Sequence, residues 1–184
     1  MTASPRVVLL YLNVVGVLAL SGVLIGAYVI QFTLEEAPCP LCLLIRLAMI
    51  AAAFGLLLNL RFGPRPAHYG VALLGCVFGM AVSIRQMLLH IVPGTGSYGS
   101  AVLGLHLYTW AFIVFSAMTL AIALGLYVER QFAEGGVAQP ASRFLRRLTA
   151  LAFLVLLTLA ALNVVTTAIE CGLGACPDNP TRFL

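Results

Sequence analysis

The segment EEAPCPLCLLIR, from Glu35 to Arg46, sets two cysteines at C-x-x-C spacing at the head of an apolar run and places an arginine four residues past the second. Cys39 and Cys42 are expected to open a helix, with Pro40 in its first turn, where a missing N–H costs little. Unpaired amides and the positive end of the helix dipole favour a thiolate there, and C-x-x-C pairs in that setting have reactive sulfurs that cycle between dithiol and disulfide. The same spacing serves two other chemistries, half of a metal site and a static structural disulfide. A zinc site needs two more thiolates or histidines, and Cys171 with Cys176 are available to supply them.

Arg46 lies on the helix face of Cys42, about 6 Å deeper along the axis. At that depth in a bilayer a charge costs about 2.5 to 3.5 kcal/mol. Two roles account for it: an anchor whose long side chain reaches back to the interface, or a cation that stabilises a thiolate or an anionic, reduced small molecule beside the cysteines. Cys171 and Cys176 lie in ECGLGACPDNP, with Gly172 and Gly174 between them to let a tight ring close. Such a ring either staples the tail or trades disulfides by thiolate attack; closing so small a loop does little for a bundle, which favours exchange. Cys76, flanked by Gly75 and Gly79 in an apolar stretch, reads as a small hydrophobe.

The elements that hold these residues are membrane helices. Of the 184 residues 62% are hydrophobic and only 9% charged, and the mean hydropathy of +1.08 lies outside the range of soluble domains. Stretches at about 7–32, 41–60, 69–92, 107–128 and 148–168 are each long enough to cross a hydrocarbon core, which takes roughly 20 helical residues. An all-α, polytopic bundle of five transmembrane helices is therefore expected, a single membrane domain over 1–184 with a cysteine-bearing tail at 169–184. The first stretch exceeds the apolar core of a secretory signal and no A-x-A site follows it, so it is expected to be retained.

A net charge of +4 would point to nucleic acid in a soluble protein, but its distribution describes membrane topology, and no nucleic-acid partner is expected. Arg6, Arg61, Arg65, Arg130, Arg143, Arg146 and Arg147 flank one set of helix ends, whereas the opposite side has Arg182. The positive-inside rule places the N-terminus in the cytoplasm and the C-terminus outside, so Cys39, Cys42, Cys171 and Cys176 all fall on the outer side. Breakers mark the joints: a cytoplasmic turn at 61–68, an outer turn at 93–100 and a cytoplasmic loop at 129–142. Tyr108 and Trp110 follow the outer turn as interfacial aromatic anchors.

With CPLCLLIR at the start of the second helix and RQMLLHIVP, Arg85 to Pro93, at the end of the third, the chain resembles the DsbB family of bacterial inner-membrane thiol:quinone oxidoreductases. The resemblance covers about the first 130 residues. It implies a membrane quinone (ubiquinone or menaquinone) as electron acceptor, a periplasmic DsbA-like thiol protein as donor, no metal, and the active cysteines on the periplasmic side of the inner membrane. By motif position it puts Arg46, Gln86 and His90 beside the quinone and Cys42 as the sulfur facing it. Gln86 and His90 stand where the family often has histidine and glutamine respectively.

The departure from the family lies in the last third. Family members have four helices, with the second cysteine pair in the loop between helices three and four. Here that loop has no cysteine, and a fifth helix ends at Cys171 and Cys176. The expected relay passes electrons from a donor protein through Cys171/Cys176 and Cys39/Cys42 to the quinone. Two alternatives remain open on the residues: a thiol reductant running electrons outward, with the logic of vitamin K epoxide reductases, and a metal-binding membrane protein without catalysis.

Overall fold

The computed structural model describes residues 5–92, 94, 96–133, 142–172, 174 and 176. Its architecture is an all-α bundle in which α1 (Pro5–Thr33), α2 (Pro40–Phe62), α3 (Pro66–Leu89), α4 (Leu107–Leu126) and α6 (Arg143–Cys171) are each long and apolar enough to cross a membrane. A four-residue helix, α5 (Arg130–Ala133), follows α4. The chain runs up and down, so α1, α3 and α6 end where α2 and α4 begin.

The ends differ from the expected ones for local reasons. Helix α6 starts at Arg143 rather than 148 because the Ser142 hydroxyl caps it, accepting from the Leu145 amide at 3.1 Å. Helix α3 starts at Pro66 rather than 69, with the proline in its first turn, and stops at Leu89 rather than 92, with His90 as its C-cap. Between α3 and α4 the chain forms a small hairpin of β1 (Ala101–Val102) and β2 (Leu105–His106), antiparallel with Ala101 opposite His106. Leu103 and Gly104, at φ 52° and 80°, make the primed turn that matches strand twist. Of the expected loop at 129–142, residues 134–141 lie outside the described residues, as do 177–184 of the tail.

Helix α2 is the centre of the bundle, packed by α1, α3 and α6. Its contact with α3 is backbone-close because both helices are small there: a Cβ at Gly55 would strike the Ala72 backbone, and one at Gly75 would meet Ala52. Gly79 makes room for the fully buried ring of Phe115 on α4. At the end opposite the cysteines a polar network locks α1, α2, α3 and α5. Asn13 donates to Tyr69 at 2.9 Å, Asn59 donates to Asn13 at 3.1 Å, and Tyr69 donates to Gln131 at 3.0 Å. Buried amides in an apolar medium persist only with partners, so the network fixes the register of these helices. Leucines such as Leu74, Leu120 and Leu157 point outward, as a lipid-facing surface requires.

The close α2–α3 approach yields a stability prediction. Gly55→Ala should cost about 1 to 3 kcal/mol by overpacking and lower the melting temperature in detergent, whereas Gly22→Ala, with nothing within 4 Å of the added Cβ, should leave it unchanged.

Candidate active site

Cys39 caps α2: its backbone is extended, and its sulfur accepts from the Cys42 amide at 3.1 Å. That cap satisfies one of the helix's unpaired donors and turns the two side chains toward each other, so the free sulfurs of Cys39 and Cys42 stand 2.6 Å apart. Only a small movement separates this dithiol from a disulfide. Gln86, on α3 and 1% exposed, bridges the pair, donating to the Cys39 sulfur at 3.1 Å and to the Cys42 sulfur at 3.5 Å. Cys39 is buried, and its hydrogen bond with Cys42, followed by burial, pushes its thiol up. Cys42 is the more open of the two.

A cleft opens beside Cys42 and is lined by Gln31 of α1, Arg46 of α2, Tyr98 of the α3–α4 connection and Tyr108 of α4, among mainly apolar side chains. The Arg46 side chain is held among the last turns of α1. It is 6% exposed, donates from Nη1 to the Gln31 side-chain oxygen at 2.6 Å, and stacks its guanidinium over the Tyr28 ring, 4.3 Å from the centroid. The Gln31 amide nitrogen has no hydrogen-bond partner although Gln31 is only 3% exposed. An unpaired donor in that position is costly, and it belongs to a side chain that lines the cleft.

The connection that roofs the cleft is pinned from two sides. Tyr98 donates to the Ala37 carbonyl at 2.5 Å, and Ser100 donates from both its amide, at 3.2 Å, and its hydroxyl, at 2.5 Å, to the Glu36 carboxylate. Burial above all, and then the neighbouring cysteines, push the Tyr98 phenol up, so it stays a donor. Trp110 also lines the cleft, with its indole N–H on the Val102 carbonyl at 2.9 Å. Both aromatics expected as interfacial anchors are thus cleft walls.

The other site candidates are placed less directly. His90 is half-buried, within 3.2 Å of the Gly96 carbonyl, and stacks on Tyr108 with ring centroids 5.9 Å apart. It backs a cleft wall without lining the cleft. Gln86 likewise faces the sulfurs rather than the cleft. Cys171 and Cys176 form a disulfide at the end of α6, and the Tyr28 hydroxyl, donating to Asn163 at 3.3 Å, ties α6 to the cysteine end of α1. Cys76 is fully buried on α3. Among the described residues no three His, Cys, Asp or Glu side chains gather as a metal site. Sequence reasoning missed Tyr28, Gln31, Tyr98 and Glu170. Gln31 and Glu170 carried a signal, each being a polar residue in the last turns of an apolar helix.

The five long apolar helices make this a polytopic helical bundle, and its cysteine end gathers a C-x-x-C pair, a cleft with a buried guanidinium and the Cys171–Cys176 disulfide. Residues 10–98, which hold the pair and most of the cleft, match the family of Disulfide bond formation protein DsbB. The chain is similar to disulfide bond formation protein B of Xanthomonas euvesicatoria pv. vesicatoria (strain 85-10), 37% identical over 83 residues, 42% of this chain and 48% of that protein. The protein of the same name from Xanthomonas axonopodis pv. citri (strain 306) gives the same identity and coverage. The one from Chromohalobacter salexigens is 35% identical over 72 residues, 36% of this chain and 42% of that protein. The chain spans about half the length of the curated relatives it matches. No solved structure matches it. Helix α6 and its disulfide lie outside the residues matched to the family.

The unequal exposure of the pair makes a prediction. When the reduced protein is treated with limiting iodoacetamide at neutral pH, mass mapping should find the first label on Cys42, because Cys39 is buried and its raised thiol stays protonated; label arriving first on Cys39 would contradict this placement.

Proposed function

We propose that the chain is a thiol:quinone oxidoreductase of the bacterial inner membrane, with the cysteine end of the bundle in the periplasm. A DsbA-like dithiol protein would be reoxidised by the Cys171–Cys176 disulfide. The tail dithiol would then reduce Cys39–Cys42, and that pair would hand two electrons to a membrane quinone. The observation that carries the reading is that Cys42 and the buried Arg46 line one cleft with apolar walls. Its chemistry fits a molecule with an apolar ring and carbonyl oxygens, because the cleft offers the Arg46 guanidinium and the unpaired Gln31 amide as donors among apolar side chains.

When bound, a quinone supplies a two-electron acceptor whose potential pulls the relay toward disulfide, each 30 mV contributing about 1.4 kcal/mol. The chain's residues do the rest. Gln86 holds the two sulfurs together and bonds to both. Gln31 and Tyr28 hold the guanidinium in the cleft, where its charge favours a thiolate on Cys42 and any negative charge that develops on the acceptor's oxygen. Apolar walls keep water away and so strengthen that attraction. His90 backs this wall through Tyr108, a supporting rather than contacting place for a residue assigned by motif.

Two experiments test the proposal. Purified wild-type protein with a reduced DsbA-like donor should reduce quinone, and a Cys171→Ser, Cys176→Ser double variant should accept electrons only from a small dithiol such as dithiothreitol; wild-type turnover with the protein donor would make the tail a staple. Arg46→Met should raise the KM for quinone at least about tenfold, the equivalent of about 1.4 kcal/mol, while leaving thiol exchange at Cys39–Cys42 intact. An unchanged KM would remove Arg46 from the acceptor site.

A further inference from the structure

Glu170 is the residue of this site that neither the cysteine motif nor the DsbB match accounts for. It stands in the last turn of α6, one residue before Cys171, is 1% exposed, and neither of its carboxyl oxygens has a hydrogen-bond partner. The Arg46 charge acts on this carboxyl without a hydrogen bond between them, and Glu170 in turn acts on Tyr98 in the cleft roof. The charged and titratable groups facing it are therefore Arg46 from α2 and Tyr98 from the α3–α4 connection, with Cys39, Cys42 and Glu36 around Tyr98. Gln31 and Tyr28, which hold the guanidinium, are neutral.

A buried guanidinium in an apolar bundle is costly without a negative partner, and each further buried, unpaired carboxylate is costly in turn. Glu36 lines the same cleft but its carboxylate is taken up by Ser100, which leaves two groups free to supply that charge, the Glu170 carboxylate and a thiolate on Cys42. We propose that they alternate, so that Glu170 is the proton-exchanging counter-ion of Arg46 and its protonation follows the oxidation state of Cys39/Cys42.

In the oxidised state the sulfurs are joined and neutral, and Glu170 is ionised. Reduction by a dithiol breaks the S–S bond and brings in two electrons and two protons. One proton goes to the Cys39 sulfur and the other to Glu170, leaving a thiolate on Cys42 beside Arg46. Oxidation reverses each change: the S–S bond re-forms, two electrons leave for the quinone-class acceptor, and the protons of Cys39 and Glu170 leave with them. The cleft keeps the same net charge throughout. The inference rests on the redox cycling of the pair proposed above, and it gives α6 a second task besides carrying its disulfide.

The test is a redox-difference infrared spectrum of the purified full chain, freed of quinone, poised between dithiol and disulfide with dithiothreitol. The reduced protein should gain the C=O stretch of one protonated carboxyl, and Glu170→Gln should lack that band. Dithiothreitol-driven quinone reduction by Glu170→Gln should be at least about tenfold slower than wild type, as for loss of a proton-transfer group, with an unchanged KM for quinone. Should that variant fail to fold, Glu170→Asp should shift the frequency of the band. No redox-linked carboxyl band in the wild type, the same band in Glu170→Gln, or an unmoved band in Glu170→Asp overturns the inference and leaves the quinone relay untouched. A band that behaves as expected in a protein that reduces no quinone upholds the role of Glu170 and sinks the relay.

Discussion

A charged guanidinium buried inside an apolar bundle is the constraint around which the cysteine end is built. The interior of such a bundle offers Arg46 no water, so each of its requirements must be met by a side chain brought to it. Gln31 meets the hydrogen bond and the Tyr28 ring covers the cation's face. Both come from the end of α1. The register of α1 on α2 is held in turn by the amide and phenol network around Asn13, Asn59 and Tyr69 at the far end. The close α2–α3 contact at Gly55 and Gly75 then sets where Gln86 meets the two sulfurs.

The C-x-x-C pair itself depends on much less. A cysteine at the N-cap and a proline after it suffice to start α2 and to aim both sulfurs at one point. Local geometry therefore makes the pair, and tertiary geometry decides what the pair can react with. On one side Gln86 closes it off; on the other, Cys42 faces a cleft that holds the Arg46 guanidinium and the unpaired Gln31 amide.

Helix α6 changes how this end is assembled. It packs on α1 and α2, with the Tyr28–Asn163 contact on its inner face, and delivers a disulfide and a buried carboxyl to the end of the bundle where the pair stands. The matched family segment ends at residue 98, so α6 is an addition to the part of the chain that resembles known proteins, and Glu170 comes with it.

Five apolar helices, the C-x-x-C at the head of the second and an arginine one turn further in on the same face were all legible from residue types and spacing, because hydrophobic length and helical periodicity are local properties. Helix ends were legible only to within a few residues, since a single cap such as Ser142 extends α6 by more than a turn. The hairpin at 101–106 was not legible at all: two-residue strands carry no periodicity, and Leu103 is an unusual residue for a left-handed turn position. The choice between an Arg46 that reaches back to an interface and one that faces a cleft was left to packing, because it turns on Gln31 and Tyr28, 15 and 18 residues away in the chain. The same holds for Gln86, which the family resemblance put beside the acceptor and packing placed against the sulfurs, and for Glu170, whose unpaired state depends on what the neighbouring helices bring to it. Spacing along one helix is fixed by the backbone, whereas which groups meet between helices is settled only by the register in which the helices pack.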